Sequence, residues 1–164
     1  MKGTDKAYIA GFLDGDGSVM AQLVYRKDYK LGYQIRVSIV FYQKTVHQEF
    51  LFWLKEQLEI GYIRQRSDGM SEYCLVGLAE VEFVLKLLSP YLHLKRELAL
   101  AVLRLISDHP PQRKMTSEKL VELAKLVDET ARFNYSKKRT RTSKDIIQFL
   151  QEKHLISPVE TREY

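Results

Sequence analysis

Cysteine is all but missing from this sequence, with Cys74 the only one in 164 residues. A single thiol excludes an intramolecular disulfide framework and a cysteine zinc cluster, and it fits a reducing compartment. Cys74 itself reads as a small apolar residue destined for burial. Long apolar runs are missing too: no stretch approaches the roughly 20 residues that span a bilayer, and the opening "MKGTDKAY" lacks the apolar segment of a secretory signal. The expectation is a soluble, intracellular protein that is neither secreted nor a membrane partner.

Nucleotide-binding signatures are also lacking. No Gly-x-Gly-x-x-Gly follows a strand-like run and no Gly-Lys-Ser/Thr occurs, so neither phosphate-cradling loop is present. No internal repeat divides the chain.

What is there is ordinary globular material, 45% hydrophobic and 29% charged, enough to bury a core. The length fits one domain, with a core over about residues 4–134 and a helical C-terminal region over about 135–164. A net charge of +5 and a pI of about 9.2 point to a polyanionic partner, although so modest an excess also occurs on proteins that bind nothing charged.

Periodicity predicts the elements. A short helix runs from Thr4 to about Leu13, capped by Thr4 or Asp5, and ends at the glycines. "SVMAQLVYR" and "YQIRVSIVFY" alternate as two strands of a hairpin, with Val19, Ala21, Leu23 and Tyr25 on one face of the first and Ile35, Val37, Ile39 and Phe41 on one face of the second. Thr45 is placed to cap "VHQEFLFWLKEQLE", whose stripe of Phe50, Trp53, Leu54 and Leu58 is core, and Gly61 stops it. "GYIRQR" and "SEYCLVG" flank "SDGM" as a second hairpin, with Tyr62, Arg64, Arg66, Glu72 and Cys74 on a wet face. Four further helices follow, giving the order αββαββα with extra C-terminal helices. Four antiparallel strands covered by helices on one face leave the other open, and its side chains are long and polar.

The stretch "YIAGFLDGDGS" holds Asp14 and Asp16 at a seam between helix and strand. It is not a calcium loop: counted from Asp14, the obligatory glycine is Val19 and the bidentate glutamate is Tyr25. A solvated turn after a helix is the plain alternative. Against it, acids at a helix C-terminus oppose the macrodipole, and Gly11 inside an apolar helix costs about 1 kcal/mol relative to alanine. Gly11 and Gly15, four apart, would let another backbone approach, and a cation would neutralise the acids.

These residues carry a resemblance. "YIAGFLDGDGS" is similar to the signature of the LAGLIDADG homing endonucleases, supported by the αββαββα order, "YQKT", "GYIRQR" and "PYLHLKRELA". The chain resembles the single-motif homodimers, represented by small chloroplast intron-encoded enzymes. The resemblance implies the α+β LAGLIDADG fold, with a four-stranded antiparallel saddle on DNA. It implies a homodimer whose motif helices meet through Tyr8, Ile9, Gly11, Phe12 and Gly15, and intron homing by cutting both strands of a long pseudo-palindromic target, leaving short 3′ overhangs. It also implies an intracellular setting that includes the chloroplast or mitochondrion. Asp16 matches the metal-binding acid, with the Gly15 carbonyl as a further ligand; two such carboxylates brought together call for Mg²⁺, with Mn²⁺ or Ca²⁺ able to occupy the site, and no small-molecule cofactor. Gln43 and Lys95 match peripheral catalytic positions. His47 stands where those homodimers carry an arginine, so it can bond the phosphate or its water but lacks arginine's fork. Asp14 is left a structural role, capping or pairing near the subunit interface.

On the saddle, Gln22, Gln34, Arg64 and Arg66 suit base edges. Val24, Arg26, Arg36, Ser38, Tyr42, Lys44 and Tyr62 complete the DNA face, and Glu72 either joins it or orients the neighbouring arginines. Lys27, Tyr29 and Lys30 sit between strands within reach of outer bases. Ser136, Lys137, Lys138, Arg139 and Arg141 form a basic stretch that touches the backbone in the family. The alternative is a non-cleaving binder of the same fold, an RNA intron maturase or a DNA-binding regulator, to which His47 lends weight.

Overall fold

The computed structural model describes residues 1–133 and 140–157. Contacts divide the chain into two compact units: Met1–Ala21 with Arg36–Ser107, and Gln22–Ile35 with the chain from Asp108 onward. The elements are α1 (Gly3–Asp16), β1 (Gly17–Tyr25), β2 (Tyr33–Lys44), α2 (Glu49–Leu58), β3 (Tyr62–Gln65), β4 (Met70–Val76), α3 (Leu78–Leu88), α4 (Arg96–Ser107), α5 (Ser117–Glu129) and α6 (Ser143–Glu152). The expected α+β order is therefore present, and the strands form one sheet in the order β1-β2-β4-β3.

In the first unit, period-two alternation buries Val37, Ile39 and Phe41 of β2. Phe41 stacks on Tyr73 at 5.9 Å and on Phe12 of α1 at 6.1 Å, which seats the motif helix on the covered face of the sheet. Leu51, Leu54 and Leu58 of α2, Val81, Val84, Leu85 and Leu88 of α3, and Ala99, Val102 and Leu105 of α4 close the core at the helical spacing of three and four.

Four boundaries differ from expectation. The motif helix runs on through both glycines to Asp16, because the Gly17 N–H bonds the Leu13 carbonyl and Gly17 itself is extended. Helix propensity is a weak prior that this ladder overrides. Lys2 rather than Thr4 or Asp5 is the N-cap, and Asp5 accepts the Lys2 N–H at 3.1 Å. Thr45 opens a 3-10 turn (Thr45–His47) and its hydroxyl lies 3.0 Å from that of Ser71, so it caps nothing; α2 ends at Glu59, in left-handed backbone, before Gly61 is reached.

In the second unit, Leu120, Leu123, Ala124 and Val127 of α5 are buried, as are Ile146 and Leu150 of α6. The Thr116 hydroxyl caps α5, and the Asp128 carboxylate accepts the Ser143 N–H at 2.9 Å at the start of α6. Gly32, at φ +70°, lies under Phe149, where a Cβ would overlap the ring. Phe149 meets Tyr25 and Tyr33 edge-on at 5.9 and 5.4 Å.

Candidate functional site

The C-terminal end of α1 separates its two acids. Asp16 is exposed, whereas Asp14 is only 8% exposed and is occupied. The Asp14 carboxylate accepts the backbone N–H groups of His93 at 2.7 Å, Leu94 at 3.1 Å and Lys95 at 2.9 Å, immediately before α4. The Lys95 ammonium donates back to the Asp14 carbonyl at 2.5 Å. Burial pushes the Lys95 ammonium below the usual lysine range, against the pull of Asp14 and Asp16. Asp14 thus has the capping role expected of it, with a partner that sequence had not identified.

Asp16 and the Gly15 carbonyl are hard oxygen donors that suit Mg²⁺ or Ca²⁺. Among the described residues no three His, Cys, Asp or Glu side chains gather into a metal site.

The outer face of α1 carries Tyr8, 59% exposed, with Gly11 and Gly15. A Cβ added at either glycine would meet nothing within 4 Å in its own chain. Among the described residues nothing packs against these glycines. Ile9, expected on this face, is fully buried within the chain, and Phe12 is half-buried, 4.6 Å from the Phe50 ring; both point to the chain's own core rather than outward.

On the opposite sheet face, register aligns Tyr42, Glu72 and Arg64 in one row and Val40, Cys74 and Tyr62 in the next. Arg36, Lys44, Tyr62, Arg64 and Arg66 are exposed and Tyr42 is half-buried. Ser38, Glu72 and Cys74, expected on a wet face, are each 3% exposed. Glu72 lies beneath two arginines: Arg64 Nε donates to Glu72 Oε2 at 2.6 Å and Arg66 Nη1 to Glu72 Oε1 at 3.0 Å. Burial alone would raise the Glu72 carboxyl, but these bonds, Arg64 first, hold it below the usual carboxylate range. Burial raises the Cys74 thiol, and Glu72 adds to the rise.

Gln43 falls at the end of β2 on the row with Ser71 and Gln65, and its side-chain oxygen accepts the Lys44 N–H at 2.9 Å. Gln65, which sequence reasoning passed over, donates to the Gln48 amide oxygen at 2.7 Å. His47 is exposed on the 3-10 turn. The structure thus joins Lys95 to the end of α1 by a hydrogen bond, while the Gln43 side chain bonds the neighbouring Lys44 N–H.

In the second unit, Gln22, Arg26 and Lys30 are exposed, and Val24, Tyr29 and Gln34 are half-buried. Arg26 pairs with Asp28 at 3.0 Å and lies over the Tyr29 ring. A cavity of about 380 Å³ is lined by Arg26, Lys27, Lys30 and Lys153 with Tyr25, Tyr29 and Phe149. Phe149 and Lys153 had no local signal, because their neighbours are far away in sequence. Arg141 is exposed; Ser136, Lys137, Lys138 and Arg139 lie outside the described residues. Among the described residues no helix is long and apolar enough to cross a membrane.

Comparison with known proteins places the chain in a family. The family model of the LAGLIDADG endonucleases matches residues 9–103. DNA endonuclease I-CvuI of Chlorella vulgaris is 39% identical over 145 residues, covering 88% of this chain and 89% of that protein. DNA endonuclease I-CreI of Chlamydomonas reinhardtii is 36% identical over 154 residues, covering 92% and 93%. A crystal structure of I-CvuI with its DNA target in 2 mM Ca superposes with a TM-score of 0.88 at 37% identity, over 94% of this chain and 97% of that one. A second, equally similar, holds the I-CreI target in 2 mM Mg with the DNA not cleaved.

Proposed function

The chain belongs to the LAGLIDADG endonuclease family, and from that premise we propose that it is a site-specific homing endonuclease that cuts both strands of duplex DNA as a Mg²⁺-dependent homodimer. The whole chain acts as one endonuclease domain. Its target is long and pseudo-palindromic, its products carry short 3′ overhangs, and it works inside a cell or a DNA-bearing organelle.

The observation that carries this reading is the end of α1, where an exposed Asp16 follows a helix face of glycines that nothing among the described residues fills. A second copy laid against Gly11 and Gly15 explains both glycines, and it brings a second Asp16 to complete the donor set. Tyr8 flanks that contact. The Asp16 carboxylates and Gly15 carbonyls would hold Mg²⁺, which would supply Lewis acidity and a water of lowered pKa; Mn²⁺ or Ca²⁺ would fit the same oxygens.

The chain's own groups do the rest. Lys95 sets a positive charge where the phosphodiester gains negative charge. Gln43, whose amide both donates and accepts, orients water at the phosphate, and His47 donates to a phosphate oxygen. Arg64 and Arg66, held by Glu72, present guanidinium edges to guanine, and Gln22 and Gln34 present amides to adenine. Arg36, Ser38, Tyr42, Lys44, Tyr62 and Val24 fill the protein side of the groove. Arg26, Tyr29, Lys30 and Arg141, with Ser136, Lys137 and Lys138, take the backbone and outer bases.

The test is incubation of the purified chain with a library of duplexes and Mg²⁺, followed by sequencing of the ends. Paired cuts at one long motif are expected. Specific binding without cuts would make the chain a non-cleaving nucleic-acid binder instead.

A further inference from the structure

We propose that Asp14 is a positioning residue for cleavage, holding Lys95 at the end of the motif helix by clamping the backbone that leads into α4. The inference rests on the endonuclease reading and gives a task to an acid that this reading leaves idle.

Three N–H groups converge on one carboxylate across 79 to 81 residues of sequence, two on Oδ2 and one on Oδ1. Successive N–H groups turned to one anion form a nest. Asp14 is misplaced as a residue of α1, since a helix C-terminus repels negative charge, but well placed at the entrance to α4, where the dipole attracts it. Holding that entrance would need only the carboxylate. What a capping role leaves unexplained is the fourth bond, in which the Lys95 ammonium turns back to the Asp14 main-chain oxygen. Both ends of Lys95, its N–H and its Nζ, are thereby tied to one residue two positions from Asp16. A long, freely rotating side chain is ordered before DNA arrives, which places its charge at the reacting phosphate without a search. The half-burial of Lys95 is consistent with a fixed rather than a solvated ammonium.

The test is a double-mutant cycle of Asp14→Asn and Lys95→Met, with melting temperature, DNA affinity in Ca²⁺ and single-turnover cleavage rate in Mg²⁺ measured for each. Asp14→Asn is expected to fold and to bind DNA as the wild type does while cutting about 10- to 100-fold more slowly. On the Lys95→Met background it should slow cutting by less than about 2-fold, because the group it positions is gone. Without metal, amide exchange at residues 93–95 should quicken in Asp14→Asn while Val102 and Leu105 stay protected. Wild-type cutting by a folded Asp14→Asn overturns the proposal, as does an undiminished loss on the Lys95→Met background or quickened exchange throughout α4. Should Asp14→Asn not fold, Asp14→Glu, which keeps both oxygens one methylene further out, takes its place on the same criteria. If the wild type cuts and Asp14→Asn is neutral, only the positioning role fails; if the wild type cuts no duplex, the endonuclease reading fails and takes this role with it.

Discussion

Arg64 Nε donates to Glu72 Oε2 at 2.6 Å across the β3–β4 pair, so an exposed arginine of the open sheet face is anchored on a carboxylate that solvent scarcely reaches. Arg66 Nη1 donates to the other oxygen at 3.0 Å while its Nη2 donates to Asp68 Oδ2 at 2.6 Å, so Glu72 holds both guanidinium groups and shares the second with Asp68.

The first prediction concerns that acid. The guanidinium groups are 60% and 46% exposed, so solvent screens the pairs, and Glu72→Gln should cost only about 1–2 kcal/mol at pH 7 by thermal unfolding. The folded-state pKa lies below the ordinary 4.5, so the stabilisation is complete above 4.5 and is lost as pH falls through the folded value. The gap between wild type and Glu72→Gln should therefore be constant from neutral pH down to about 5 and close below 4.5. Discrimination for guanine at the contacted positions should relax in the same variant. A Glu72→Gln protein as stable as wild type at pH 7 would contradict this.

Gly11 supplies the second. Alanine there favours the isolated helix by up to about 1 kcal/mol, and within the chain it meets nothing. Sedimentation should nonetheless show the opposite effect on assembly. Wild type is expected at twice 19.2 kDa at micromolar concentration, and Gly11→Leu at 19.2 kDa with its melting cooperative. A Gly11→Leu dimer as tight as wild type would remove the helix-on-helix contact.

Third, the basic cavity of the second unit should register in the salt dependence of DNA binding. Lys153→Ala is expected to weaken binding evenly across sequences and to lower the slope of log K against log salt by about 1. An unchanged slope would mean that Lys153 contacts no phosphate.

Alternation told which side of β2 is buried, and Val37, Ile39 and Phe41 obey it. The same rule put Glu72 and Cys74 in water, and there it failed: period two assigns a face, but not what neighbouring strands lay over it. The end of α1 was misjudged because glycine penalties are small beside a continuing hydrogen-bond ladder. Asp14 and Phe149 show the harder limit. Their type and place on a helix were readable, but their partners stand far along the chain, at His93–Lys95 and at Tyr25 and Tyr33, and no local pattern encodes such meetings. The exposed position of Asp16 at the end of α1 was within reach of sequence, because the motif around it is dense.

The account turns on the Asp16 carboxylate doing metal chemistry rather than merely closing a helix. Asp16→Asn changes little but charge, so cleavage of the selected duplex in Mg²⁺, measured beside binding of the same duplex, tests it most directly. The variant should bind as wild type does and cut more than about 10²-fold more slowly; cutting at the wild-type rate would contradict the account.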